Sequence, residues 1–252
     1  MTILAENNQG LANLFRLSSL ASLEGYYYKP RMDRELISRH ADGLIATTGC
    51  PGGEIQTRLR MGNYREALRA ASDYRDIFGA NNFFLEIMDH DIDVENRVKA
   101  DLLKLGKELK LPLLATNDLH YTRHEDAAAH AALLCVQSGT TLADPKRFKF
   151  DNDEFYLKTP AQMRELFKEL PESCDNTLLI AERCNVKLRE NENLLPAFPV
   201  PQGETEDSWL RKESVRGLLE KMGDRATEEY RTRINYELDV MANMGFPGYF
   251  LV

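Results

Sequence analysis

Several things are scarce in this 252-residue chain. It has four cysteines, Cys50, Cys135, Cys174 and Cys184, and no two form a C-x-x-C pair. Scattered single cysteines in a chain of 28.8 kDa read as reduced thiols rather than as a disulfide framework. No apolar run approaches the roughly 20 residues that span a bilayer, and mean hydropathy is -0.45. The opening residues MTILAENNQG lack a basic segment followed by an apolar one, so no secretory signal is read and a cytoplasmic location is expected. Positive charge is also short: 32 Lys and Arg face 40 Asp and Glu, a net charge of -8 that repels a polyanion at long range. G-x-x-x-x-G-K-[ST], G-x-S-x-G and H-E-x-x-H are absent, which removes the P-loop, the nucleophile elbow and the helical zinc-protease readings.

What is present is a globular composition, 43% hydrophobic and 29% charged. Three short apolar runs, 43–49, 83–88 and 111–117, have strand length and β-forming residues. Between the first two, Tyr64, Ala67, Leu68, Ala71, Tyr74 and Phe78 recur at helical spacing and Gly79 follows as a C-cap. Val94, Val98, Leu102, Leu105 and Leu109 do the same between the second and third. This β-α-β-α-β order predicts a parallel sheet with right-handed crossovers. Beyond Asn117 the pattern is mainly helical: about 124–137, a start at Thr159-Pro160-Ala161-Gln162 with a capping box, about 172–184, 206–222 and 226–244. Three prolines within 194–201 mark a linker.

Chemistry in parallel α/β folds collects where strands exit at their C-terminal ends. The first run exits into Gly49-Cys-Pro-Gly-Gly-Glu54, where Cys50 is either a thiolate ligand for a borderline cation or a small buried hydrophobe in a tight turn. The third exits into Asn117-Asp-Leu-His-Tyr121. Asp118 and His120, two residues apart on extended backbone, project to one side; they either begin a divalent-metal site or are a helix cap and a surface histidine. At the second exit the run 89–95 either contributes Asp89 and His90 to a site or is the acidic opening turn of the next helix, and the helix-turn reading is favoured. His124 and His130 are read as structural or surface residues, and His40 as exposed.

Six strings occur in register: 4–10 LAENNQG, 43–54 GLIATTGCPGGE, 115–121 ATNDLHY, 144–147 DPKR, 181–185 AERCN and 244–250 MGFPGYF. Together they resemble the C-family replicative DNA polymerases of bacteria, the DNA polymerase III alpha subunits, from one end of this chain to the other. The resemblance implies an α/β fold: an incomplete distorted β/α barrel of the polymerase-and-histidinol-phosphatase (PHP) type over 1–193, then the mainly helical start of a polymerase core over 194–252. It implies divalent metal, Zn or Mn, at the PHP site with Cys50, Asp118 and His120 as ligands, and metal-dependent 3'-5' exonuclease proofreading there. For the whole polymerase it implies Mg for nucleotidyl transfer, DNA and deoxynucleoside triphosphates as substrates, and the sliding clamp and proofreading subunit as partners, with no membrane.

Two departures qualify this. The family's opening H-x-H strand has no counterpart here, and no P-D-x-D run supplies palm aspartates. The expectation is therefore a polypeptide that by itself neither polymerises nor proofreads efficiently, with no catalytic residue assigned within it. The competing readings are a stand-alone PHP-type phosphoesterase and a noncatalytic scaffold module of a replicase.

Overall fold

Runs of Leu, Ile and Phe build one four-stranded sheet whose order follows the chain: β1 (Ile3–Ala5), β2 (Leu44–Thr47), β3 (Phe83–Ile87) and β4 (Leu113–Ala115). In the computed structural model, which describes residues 1–188, 190 and 195–252, β2, β3 and β4 pair in parallel. Thr47 stands opposite Phe84 and Glu86 opposite Leu114. The crossovers are helical. Between β2 and β3 lie α3 (Glu54–Arg60) and α4 (Tyr64–Phe78), and between β3 and β4 lies α5 (Asp93–Leu109). The predicted helices at 64–78 and through 94–109 are thus present, and Gly79 closes α4 with φ 87°.

The elements before residue 43 are not among those predicted, although Leu11, Leu14, Leu17 and Ala21 recur at helical spacing. β1 pairs antiparallel to β2, with Ile3 opposite Ala46. It leads through Asn7, whose side chain accepts the Gly10 N–H, into α1 (Asn8–Leu23). His40 is half-buried rather than exposed, because it closes α2 (Arg34–Arg39). α3 was likewise unforeseen, since it starts on Gly53 without a side-chain cap.

Alternation along the strands divides the core. Leu44, Ala46, Phe83, Leu85 and Ile87 face the cluster shared with Leu17, Ala67, Ala71, Leu102 and Leu105. Ile45, Phe84 and Leu114 point the other way, to Ile180 on α8 (Pro171–Arg183). Burial on both faces is why these strands read as continuous apolar runs. After β4 come a 3-10 turn at His124–Asp126, α6 (Ala127–Ser138), and an extended passage joined to the β4 exit where Tyr121 bridges Tyr156. α7 (Pro160–Leu166) then starts on the predicted box, with Thr159 and Gln162 satisfying each other's backbone N–H groups.

The chain divides into two compact units, Met1–Leu188 and Arg189–Val252. The predicted boundary between residues 193 and 194, and the first residue of the predicted linker, lie outside the described residues. The second unit is α9 (Glu206–Met222), α10 (Glu228–Asn243) and α11 (Pro247–Leu251). Arg211 ties α9 to α10, reaching Asp207 at 3.2 Å and Asp239 at 2.8 Å. Among the described residues no helix is long and apolar enough to cross a membrane. The described residues thus form a mixed α/β fold, a four-stranded sheet with helical crossovers in the first unit and helices alone in the second.

Two contacts hold the early elements in place. A Cβ on Gly10 would sit 1.8 Å from the Gly43 carbonyl oxygen, so α1 lies on the β2 entrance only because residue 10 has no side chain. Gly10→Ala is expected to cost about 3 kcal/mol or more from overpacking, measured by thermal unfolding. Glu54, first in α3, accepts from Arg34 at 2.9 Å, Arg58 at 2.8 Å and Tyr74 at 3.0 Å. Burial pushes its carboxyl up, but these donors outweigh burial and hold it below the ordinary value of 4.5. A depressed carboxyl pKa stabilises the fold above the unfolded value, and that contribution is lost as pH falls through the folded one. Glu54→Gln should therefore lower the melting temperature at pH 7 and flatten the acid limb of the stability profile below about pH 4.5.

Candidate functional site

The exits of β2, β3 and β4 carry a buried polar layer in an otherwise apolar sheet. Strand alternation places Thr47, Glu86 and Thr116 on the same face as Ile45, Phe84 and Leu114, one step nearer the exits. Glu86 is 4% exposed. Its two carboxylate oxygens accept the Thr47 hydroxyl and, at 2.6 Å, the Thr116 hydroxyl. The Thr48 hydroxyl in turn accepts the Glu86 N–H at 2.9 Å. One carboxylate thus joins three strand ends through short side chains.

Immediately after β3 stands His90, 1% exposed. Glu95, in the first turn of α5, takes the His90 N–H at 2.7 Å and faces its Nδ1 at 2.8 Å. That carboxylate fixes a proton on Nδ1, leaving Nε2 to accept the Asp118 N–H at 3.1 Å. Nε2 also stands 3.0 Å from Asn117 Oδ1. The His90 carbonyl accepts from Asn152 Nδ2 at 2.6 Å, and Phe155 stacks on the ring at 4.7 Å. His90 therefore links the β3 exit to the β4 exit and to the 152–155 passage.

The β4 exit presents Asp118 and His120 as a pair, Oδ1 to Nε2 3.3 Å, both partly open to solvent. They project to one side as the extended spacing predicts. The His120 N–H is held by the Phe155 carbonyl at 2.9 Å, and its ring meets Phe150 at 4.7 Å. Cys50, at the β2 exit, is exposed rather than buried. Its loop is pinned by Gln56, whose Nε2 donates to the Gly49 carbonyl at 2.7 Å. Cys50 does not join Asp118 and His120 within the common reach of one ion: among the described residues the one group of three that does so is His124, Asp153 and Glu154, within 4.8 Å. That group is a surface feature, with Asp153 against His124 at 3.2 Å and Glu154 against Lys158 at 3.2 Å.

The reading of the run 89–95 as the acidic opening turn of the next helix holds for Asp93 and Glu95, which stand in the first turn of α5, but not for Asp89 and His90, which precede it. α5 starts on Ile92 without a side-chain cap, Asp89 pairs with Lys99 at 2.7 Å, and His90 is a buried junction. Glu86 and Glu95 carry this rim; Glu86 is not among the predicted site residues, and Glu95 is predicted only as part of the acidic helix start. The available signal for Glu86 was a carboxylate inside an apolar strand, flanked in the neighbouring runs by threonines at equivalent depth.

A family model described as "PHP domain" matches residues 1–90, and one described as "Bacterial DNA polymerase III alpha NTPase domain" matches residues 208–252. The chain is 52% identical over its whole length to the DNA polymerase III subunit alpha of Mycobacterium tuberculosis strain H37Rv, covering 22% of that protein. It is 54% identical to that of Saccharopolyspora erythraea, covering 21%, and 37% identical to that of Thermus aquaticus, covering 25%. The chain spans about a fifth to a quarter of the length of these curated relatives, and is homologous to them throughout its own.

Removing one partner of a buried charged or polar pair leaves the other without water or a bond, at about 3 kcal/mol or more. Glu95→Ala is therefore expected to destabilise the chain by that order in denaturant unfolding, and to broaden the His120 ring resonances as the Asp118–His120 turn loosens.

Proposed function

We propose, from homology that runs the whole length of the chain, that it is the PHP-bearing part of a bacterial DNA polymerase III alpha subunit, the DNA-directed DNA polymerase of chromosomal replication. The observation that carries this is the order of two matches on one polypeptide. A PHP match at 1–90 followed by a polymerase alpha match at 208–252 is what a replicase alpha subunit requires and what a stand-alone PHP phosphoesterase does not. In this reading residues 1–193 form the PHP-like domain and 194–252 begin the polymerase core. The protein works in the cytoplasm on DNA and deoxynucleoside triphosphates, alongside the sliding clamp and a proofreading subunit.

The donor set at the strand exits fits a divalent cation. Asp118 and His120 offer a carboxylate oxygen and an imidazole nitrogen on one side of the β4 exit, a combination suited to Zn or Mn. His90 and Phe155 steady this turn through backbone N–H groups, the outer-shell support that metal ligands need. Cys50 stands exposed at the β2 exit of the same rim and is the thiolate ligand of this reading, although it does not fall within the common reach of one ion with the pair. Asp118 and His120 would hold the ion, which would supply an activated water and offset charge on a phosphodiester, the chemistry of a 3'-5' exonuclease. The residues of this chain hold and orient; Mg-dependent nucleotidyl transfer belongs to the polymerase core.

The intact gene product containing this chain is expected to extend a primed template with deoxynucleoside triphosphates and Mg, and absence of extension contradicts the polymerase reading. Asp118→Ala in that protein should lower its divalent-metal content by about one ion per chain in elemental analysis, and unchanged content contradicts the ligand assignment.

A further inference from the structure

The thiol at the β2 exit sits in the part of the rim with the least backbone preference of its own. Of residues 49–53, Gly49, Gly52 and Gly53 are glycine. Glycine accepts many backbone conformations, so a loop of this composition does not by itself choose where its one reactive side chain points. Cys50 is nevertheless held in the open, while Cys135 and Cys174 are buried. The choice must come from outside the loop.

The direction of a side chain follows from φ and ψ of its own residue, which relate the two peptide planes on either side of it. For Cys50 each plane is tied by one hydrogen bond at its carbonyl. The Cys50 carbonyl, in the plane that follows, accepts the Gly53 N–H at 2.8 Å, a bond within the turn itself. The Gly49 carbonyl, in the plane that precedes, accepts from Gln56 Nε2 at 2.7 Å. Gly49 has φ 75°, a region that glycine enters without steric cost, so residue 49 offers little resistance to rotation of that plane. The bond from Gln56 supplies the resistance.

The placement of Gln56 suits this task. It is the third residue of α3, and helical Cα–Cβ bonds tilt toward the N-terminus, so its side chain returns to the loop that precedes the helix. It is 3% exposed, and a buried carboxamide is costly unless its hydrogen bonds are made. It shares a wall with Glu86 and Glu95, which refers its position to the buried layer that aligns the strand exits. The same layer reaches the loop a second time: the Gly49 N–H donates to the Thr47 hydroxyl at 3.2 Å, and that hydroxyl donates to Glu86.

We propose that Gln56 is a positioning residue for Cys50: by holding the Gly49 carbonyl it fixes the peptide plane before the cysteine and keeps the thiol in one direction at the rim. The inference rests on the reading of Cys50 as a thiolate ligand and names the side chain that prepares it. Gln56 touches no ion and moves no proton. It removes the alternatives open to a glycine-rich loop, so the thiolate loses less freedom when a divalent cation binds.

Cadmium is the probe, because a cadmium–thiolate bond has an ultraviolet charge-transfer band to which carboxylate and imidazole ligands do not contribute. The full chain is titrated with cadmium, and nitrogen-15 relaxation is recorded on the metal-free chain in EDTA. Gln56→Met keeps the length of the side chain and removes the donor. Its cadmium affinity, read at that band, should fall about tenfold or more, and the Cys50 amide order parameter should drop from the rigid-backbone value of about 0.85 to below about 0.6. Gln56→Glu, of the same shape but with an acceptor facing the Gly49 carbonyl, should behave alike, and whichever variant folds decides. A lower melting temperature with affinity and order parameter both at wild-type values would mark Gln56 as structural only and overturn the inference. A band that is missing from wild type, or that persists in Cys50→Ser, strikes the ligand reading of Cys50 instead, and the order parameter then decides the positioning role without metal.

Discussion

The arrangement of this protein's rim depends on how two buried carboxylates are satisfied. Glu86 and Glu95 sit at the exit end of β3, each less than a tenth exposed, where an unpaired carboxylate would cost several kcal/mol. Glu86 is relieved by hydroxyls from the strands on either side, and Glu95 by the backbone and ring of His90. The first solution joins residues distant in sequence, and the second, local in itself, fixes a ring that reaches a distant turn. The Thr47–Glu86–Thr116 layer aligns the three exits, and the His90 junction fastens the turn after β4 to the turn after β3. A fully satisfied buried network of this kind specifies one geometry, because any shift leaves a polar group bare.

That rigidity explains how an exposed pair acquires a fixed place. Asp118 and His120 are themselves partly solvated and would wander on an isolated loop. They are held because the backbone on which they ride is clamped: the Asp118 N–H by His90, the His120 N–H by Phe155, and Asn117 by the Tyr156 carbonyl. The aromatic cluster of Phe150, Phe155, His120 and His130 continues the same support outward from the pair. The sheet sets the exits, the buried network sets the turns, and the turns set what a ligand meets.

Much of this was legible in the residues because the signals were local. Short continuous apolar runs gave the parallel strands, helical periodicity gave α4 and α5, and Thr159-Pro160 with Gln162 gave the start of α7. The two-residue spacing of Asp118 and His120 fixed their shared direction. What escaped is what depends on partners far along the chain. β1 has three residues and exists because β2 offers an edge. His90 looked like part of an acidic helix start because its decisive partners, Asn117, Asp118 and Asn152, lie at least 27 residues away. Cys50 was ambiguous because a glycine-rich loop carries no pattern that distinguishes an outward from an inward thiol.

The His90 junction clamps the β4 exit, and the Asp118 amide reports on it directly. Hydrogen exchange of the Asp118 N–H, resolved by NMR, should be as slow as that of the β3 amides of Leu85–Ile87, since it donates to a ring nitrogen buried in the same core. Exchange at the rate of an open surface loop would contradict the account.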